Sequence, residues 1–292
     1  MNSNEWPLVL FTLLSQISLG IIFTAFIVSF VLKNTDTPSI SELKRLVIIV
    51  AMSLMGIALI ISFLHLGSPQ HAVYALSNTG ASWLSREILL AAIFLFTLLV
   101  CFTSLSYNIP HRSMFDYFFL ASLFTGMVMV WTIARVYMLP TVPLWNTPGT
   151  PIAFFNSALL LGSSGLLLMI FLKAIKTGGF PEMQPVESML FYMTAGAVFI
   201  FLLNKMFFMP DVAAVQGGFT APVIGSWFKI TQNLLIIAGF TLITYWYLRH
   251  AASITGSFHT SFYLILVATV CFFLAELVGR YIFYASYYRV GV

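Results

Sequence analysis

The chain has 292 residues, of which 60% are hydrophobic and only 8% charged, with a net charge of +4. Soluble domains carry about 25% charged residues, so this composition excludes a soluble domain and points to an integral membrane protein. The surplus positive charge lies in short loops without basic runs interleaved with aromatics, which excludes nucleic acid as a partner and leaves membrane lipid.

A spanning helix needs about 20 mainly apolar residues. Eight windows meet that requirement: 7–32, 46–65, 88–106, 117–138, 152–172, 188–208, 227–248 and 262–284. The first is too long for a signal-peptide core, has no basic segment before it and is expected to be retained. Turn-rich stretches separate the windows, among them Lys33–Pro38, Tyr107–Pro110 and Lys176–Pro181. The fold class expected is therefore an all-α integral membrane protein, a single transmembrane domain over 1–292 with eight helices in a polytopic bundle. No internal repeat emerges, which disfavours an inverted-repeat transporter.

Loop lysines and arginines set the orientation. Lys33, Lys44, Arg45, Arg112, Lys173, Lys176 and Arg249 fall on one side, and Arg86, Lys205, Lys229 and Arg289 on the other. The richer side is expected to be cytoplasmic, with both termini periplasmic. Under that threading His65, Glu87, Arg135, Glu276 and Arg280 all lie near the outer ends of their spans. Ionisable groups inside a membrane are costly and mark a pathway or a site by default. Five of them from four helices at one end predict a polar pocket facing the periplasm.

Each residue also has a plainer reading. His65 closes the second window just before Gly67 and Pro69, where it can act as an interface residue. Glu87 opens the third window next to Arg86, where a carboxylate suits the positive end of the helix dipole. Glu276 and Arg280 are spaced four apart and can form a helix-holding ion pair. Arg135 can snorkel, and Gln16 suits an interhelical hydrogen bond. Cys101 and Cys271 are both inside apolar windows and too few to hold an iron–sulfur cluster. His71, His111, His250 and His259 fall in loops, so His65 lacks a partner for a bis-histidine haem. No metal site, haem or iron–sulfur cluster is expected here.

Several segments carry a resemblance to a known family: Glu5-Trp6-Pro7-Leu8, His65-Leu66-Gly67-Ser68-Pro69, Gly80-Ala81-Ser82-Trp83-Leu84-Ser85, Glu87-Ile88, Arg135-Val136-Tyr137, Thr141-Val142-Pro143-Leu144-Trp145 and Glu276-Leu277-Val278-Gly279-Arg280. With these segments in this order, the protein resembles the membrane anchor subunit of bacterial anaerobic dimethyl sulfoxide reductases. The stretch from about Phe180 to Trp227 carries little of the likeness.

The resemblance implies a multi-pass protein of the bacterial inner membrane that binds and oxidises menaquinol near the periplasmic face during anaerobic respiration. It implies two partners, an iron–sulfur electron-transfer subunit and a molybdopterin catalytic subunit that reduces the terminal substrate. His65 and Glu87 are expected to be catalytic, with Gly67, Ser68 and Arg135 joining them in quinol binding. Arg86, Glu276 and Arg280 are expected to set the local electrostatics. The alternatives are an inert structural anchor and a transporter with an outward polar vestibule.

Overall fold

A computed structural model describes residues 6–32, 38–65, 78–107, 112–177, 184–208, 226–251 and 258–287. These residues form eight α-helices: α1 Trp6–Val31, α2 Pro38–His65, α3 Trp83–Ser106, α4 Arg112–Tyr137, α5 Gly149–Thr177, α6 Gln184–Phe207, α7 Ser226–Ala251 and α8 Phe258–Ala285. All eight are long and apolar enough to cross a membrane. The protein is a multi-pass membrane protein.

The helices begin earlier or end later than their apolar windows. α2 starts at Pro38 rather than 46, α3 at Trp83 rather than 88, and α5 continues to Thr177 rather than 172. The extra turns carry Glu42, Lys44, Arg45, Arg86, Glu87, Lys173 and Lys176. Hydropathy falls where a helix meets head groups and water, whereas backbone hydrogen bonding continues past that boundary. Proline at the first position of α2 suits a helix start, because the N–H it lacks would have no intrahelical partner there. At α3 the Ser82 hydroxyl caps the helix by accepting from the Ser85 amide at 3.3 Å.

α1 and α5 form the centre of the bundle. α1 packs on α2, α4 and α5, α5 also packs on α6 and α8, and α3–α4 and α7–α8 form peripheral pairs. The α1–α5 crossing is made by glycines. A Cβ on Gly20 would collide with the Ala158 carbonyl, and one on Gly162 would collide with the Gly20 backbone. Two apolar helices gain nothing by hiding from lipid, so close backbone approach and interhelical hydrogen bonds hold them together. Ser18 Oγ donates to the Ala51 carbonyl of α2 at 2.8 Å, and the hydroxyls of Ser163 and Thr194 join α5 to α6 at 2.9 Å.

Because successive helices alternate in direction, the starts of α1, α3, α5 and α7 share one end of the bundle with the finishes of α2, α4, α6 and α8. The Tyr137 and Tyr284 rings, at the finishes of α4 and α8, meet at 5.3 Å. The connection between α4 and α5 docks there too. Trp145 Nε1 donates to the Phe283 carbonyl at 2.8 Å, and its ring stacks on Phe283 at 5.0 Å.

Candidate functional site

Glu87 is the fifth residue of α3, and the helix turns it inward. Ala91, Phe94, Leu98 and Cys101 are buried on the same helix, while Leu89, Ile93, Phe96 and Leu99 face outward. Glu87 continues the inward stripe at helical spacing, so the packing of the apolar residues below it buries the carboxylate. Its side chain is only 5% exposed, and Oε2 has no hydrogen-bond partner among the described residues. Arg86 does not neutralise it. The Arg86 Nε donates to the Thr79 carbonyl at 2.8 Å, Nη2 donates to the Gly80 carbonyl at 2.5 Å, and the guanidinium lies over Trp83 at 4.4 Å. Arg86 thus ties down the segment that leads into α3.

α8 supplies Glu276, Arg280 and Tyr284 at four-residue intervals, which places all three on one buried face. Glu276 and Arg280 are coupled through a second helix. Ser157 Oγ on α5 lies 2.6 Å from Glu276 Oε2 and accepts from Arg280 Nη2 at 3.0 Å. With Gln16 of α1, the expected ion pair along one helix becomes a three-helix link. Arg280 Nη2 also donates to Gln16 Oε1 on α1 at 2.7 Å, and the guanidinium sits 3.7 Å from the Phe154 ring centre. Gln16 Nε2 and Arg280 Nε have no hydrogen-bond partner among the described residues. A buried guanidinium is tolerable only where its charge is balanced and its donors are used, and here a carboxylate, a hydroxyl, an amide and an aromatic face share that work.

The network extends in both directions. Tyr137 and Tyr284 lie in the electrostatic fields of both Glu87 and Arg280, which links the α3 carboxylate to the α8 cluster. On the opposite flank Lys205 of α6 interacts electrostatically with Glu276. Lys205 Nζ donates to Gln232 Oε1 and Asn233 Oδ1 of α7, each at 2.8 Å. Gln232 in turn packs against Gly279, where a Cβ would strike its Nε2. A buried polar belt thus crosses the bundle from α3 through α4, α8, α1 and α5 to α6 and α7.

The sequence-predicted residues divide into three groups. Glu87, Glu276 and Arg280 come together in this belt. Arg135 shares their end of the bundle but lies half-buried over the Trp83 ring at 5.2 Å, so Trp83 faces two guanidinium groups. The backbone of His65 closes α2 at the same end. The imidazole of His65, together with Gly67 and Ser68, lies outside the described residues, as does the connection between α6 and α7.

Gln16 makes the interhelical hydrogen bond expected of it. Sequence reading missed Ser157, Tyr137, Tyr284 and Gln232, and it placed Lys205 among the surface cations. The usable signals were a lone amide in an apolar window and the period of four that continues from Glu276 and Arg280 to Tyr284.

The reading that buried charge gathers at one end needs a correction. At the opposite end Lys173 donates to Glu42, and His250 Nε2 lies 3.0 Å from Glu187 Oε2. Lys173 and Glu187 are both nearly buried. The helices run past their apolar windows there, which brings loop-assigned charges into contact with neighbouring helices. A cleft of about 410 Å³ opens at that end too, between Phe26, Phe30, Ile40, Lys44 and Asp116, away from the Glu87 belt. Cys101 and Cys271 are free thiols. No cluster of three metal-ligating side chains occurs among the described residues.

Comparison with known proteins agrees with this architecture. The sequence is 28% identical over 297 aligned residues to the C subunit of the anaerobic dimethyl sulfoxide reductase of Escherichia coli (strain K12), covering 99% of this protein and 97% of that one. It is 34% identical over 161 residues to the anaerobic dimethyl sulfoxide reductase subunit YnfH of the same organism, and this match spans 54% of this protein and 55% of that relative. It is 32% identical over 162 residues to the corresponding C subunit of Haemophilus influenzae, again spanning about half of each (54% and 56%). Residues 1–286 match the family described as DMSO reductase anchor subunit (DmsC), and the protein belongs to that family.

Proposed function

We propose that this anchor subunit binds and oxidises a quinol, menaquinol by family, at the Glu87 end of the bundle. That end faces the periplasm of a bacterial inner membrane. The observation that carries this reading is the Glu87 carboxylate, buried with one oxygen unpartnered among the described residues. A carboxylate is not left unpaired in an apolar bundle without cost, and the structures that keep one use it to take up or pass on a proton.

Oxidation of one quinol releases two protons and two electrons. His65, at the finish of α2, holds one hydroxyl of the head group, and Glu87 accepts the two protons in turn and passes each outward. Such transfer works within hydrogen-bond reach or through one water. By family likeness Gly67 and Ser68 belong to the same quinol-binding set, and Arg135, beside Trp83, joins them. The electrons leave through an iron–sulfur subunit docked on the periplasmic side, and a molybdopterin subunit beyond it reduces the terminal substrate. Glu276, Arg280 and Lys205 set the potential of the belt.

The test uses the assembled complex with its partner subunits. Glu87→Gln and His65→Ala are expected to abolish most quinol oxidation while leaving assembly intact. Wild-type rates in both variants would overturn the reading and leave an inert anchor. A quinone analogue that failed to bind a normally assembled complex would lead to the same conclusion.

A further inference from the structure

α4 and α6 both pack against α5 and α1 but not closely against each other. The gap leaves a cleft of about 320 Å³ floored by Phe23 of α1, walled by Phe155 and Leu159 of α5, and flanked by Met127 of α4 and Ile200 of α6. Met127 and the neighbouring Phe199 are largely exposed, so the mouth opens on the lipid side of the bundle. Its volume is in the range of about 300–1,000 Å³ usual for small-molecule sites.

Among the described residues one polar residue lines this cleft, Asn156. It is 4% exposed, and its Oδ1 has no hydrogen-bond partner among the described residues. A buried amide oxygen without a partner costs free energy that a bound hydrogen-bond donor would restore. Asn156 is the eighth residue of α5, about 10 Å from its start at 1.5 Å per residue. The next residue, Ser157, faces Glu276 and Arg280, so α5 presents the charged belt on one face and the cleft on another.

The chemistry of the lining selects among membrane molecules. No charged residue among the described ones lines the cleft, so a phospholipid would bring its phosphate to a lining without a cation. A neutral head with one hydrogen-bonding oxygen on a long apolar body matches both the single amide and the apolar walls. A hydroquinone hydroxyl can donate to one amide atom and accept from the other.

Resting on the quinol reading above, we propose that this cleft is a quinol-binding pocket open to lipid. In it a head-group hydroxyl meets the Asn156 amide as the quinol enters from lipid, before the head reaches Glu87, and the isoprenoid tail leaves past Met127 and Ile200.

The experiment measures quinol oxidation by the assembled complex, using an isoprenoid-tailed quinol and a tail-free quinol of the same head. Asn156→Leu should raise KM about tenfold for both substrates, and Asn156→Ser, which keeps a donor and an acceptor, should recover part of that loss. Ile200→Trp should raise KM about tenfold for the tailed quinol and less than twofold for the tail-free one. Quinone extracted from the purified complex should fall in both Asn156→Leu and Ile200→Trp.

A wild-type complex that oxidises quinol alongside variants of unchanged KM and quinone content would overturn the pocket and leave the quinol reading standing. Loss of co-purifying phospholipid rather than quinone in the variants would overturn it too. A wild-type complex that neither oxidises nor retains quinone would remove the quinol reading itself.

Discussion

The two ends of the bundle hold their charges differently. At the Glu42 end two acids each meet a single base at close range: Glu42 with Lys173, and Glu187 with His250. Glu42 is well exposed there, so water screens that pair. At the Glu87 end the charges are deeper and share partners across helices, as Ser157 does between Glu276 and Arg280. Glu87 Oε2, Gln16 Nε2 and Arg280 Nε have no hydrogen-bond partner among the described residues, whereas Glu187 Oε2 and His250 Nε2, which also lack an aligned hydrogen bond, at least face each other at 3.0 Å. Charges paired one to one across two helices fasten helix ends. Shared, deep and incompletely satisfied ones mark a place where something else can bind or a proton can come and go.

Four substitutions test that contrast. The largest effect is expected from Arg280→Met, which strands the buried Glu276 and the Gln16 carbonyl oxygen. Breaking a buried pair costs about 3–5 kcal/mol, so the purified complex should lose thermal stability markedly or fail to assemble. Next comes Glu87→Gln, a near-isosteric change at a residue that pairs with nothing described. It should leave the melting temperature nearly unchanged while lowering quinol oxidation by about 100-fold, the lower bound for loss of a proton-transfer group. A fall in both together would place Glu87 among the structural charges.

Lys205→Met should show a smaller effect. It removes the two hydrogen bonds to Gln232 and Asn233, each a charge-assisted bond worth about 1.5–3 kcal/mol before the relief of desolvating the ammonium. A modest drop in melting temperature is expected, along with a change in the rate of quinol oxidation if the belt acts as one electrostatic unit. The smallest effect belongs to Glu42→Gln at the opposite end, where neither melting temperature nor quinol oxidation should move beyond experimental scatter. A large response there would erase the distinction between the two ends.

Much of the scaffold could be read from residues alone, because bilayer thickness imposes a length on each apolar run and the runs here are cleanly separated. The helix bounds were less legible, since α2 and α5 carry charged turns such as Glu42-Leu43-Lys44 and Lys173-Ala174 beyond the hydrocarbon. Within the site, Glu276 and Arg280 announced themselves as ions inside an apolar stretch. Ser157 did not, because a serine within a span is ordinary until a neighbouring helix delivers a charge to it. Glu87 was legible as a candidate but not as an interior group. That required knowing that Ala91, Phe94, Leu98 and Cys101 form the inward stripe, which alternating apolar residues on both faces of α3 conceal. The likeness to the anchor family supplied the roles assigned to His65 and Glu87; the residue pattern supplied only their convergence.

The contact between Gly20 and Gly162 has a consequence for the chemistry at some distance from it. Gln16 lies one turn from Gly20 on α1, and Ser157 lies a little over one turn from Gly162 on α5. With no side-chain atoms between the two backbones, the helices have no cushion that could absorb a slip along their axes. The alignment of the amide and the hydroxyl around Arg280 is therefore set like a keyway, by the absence of two methyl groups. A bulkier residue at either glycine would spoil the charged belt without touching any of its members.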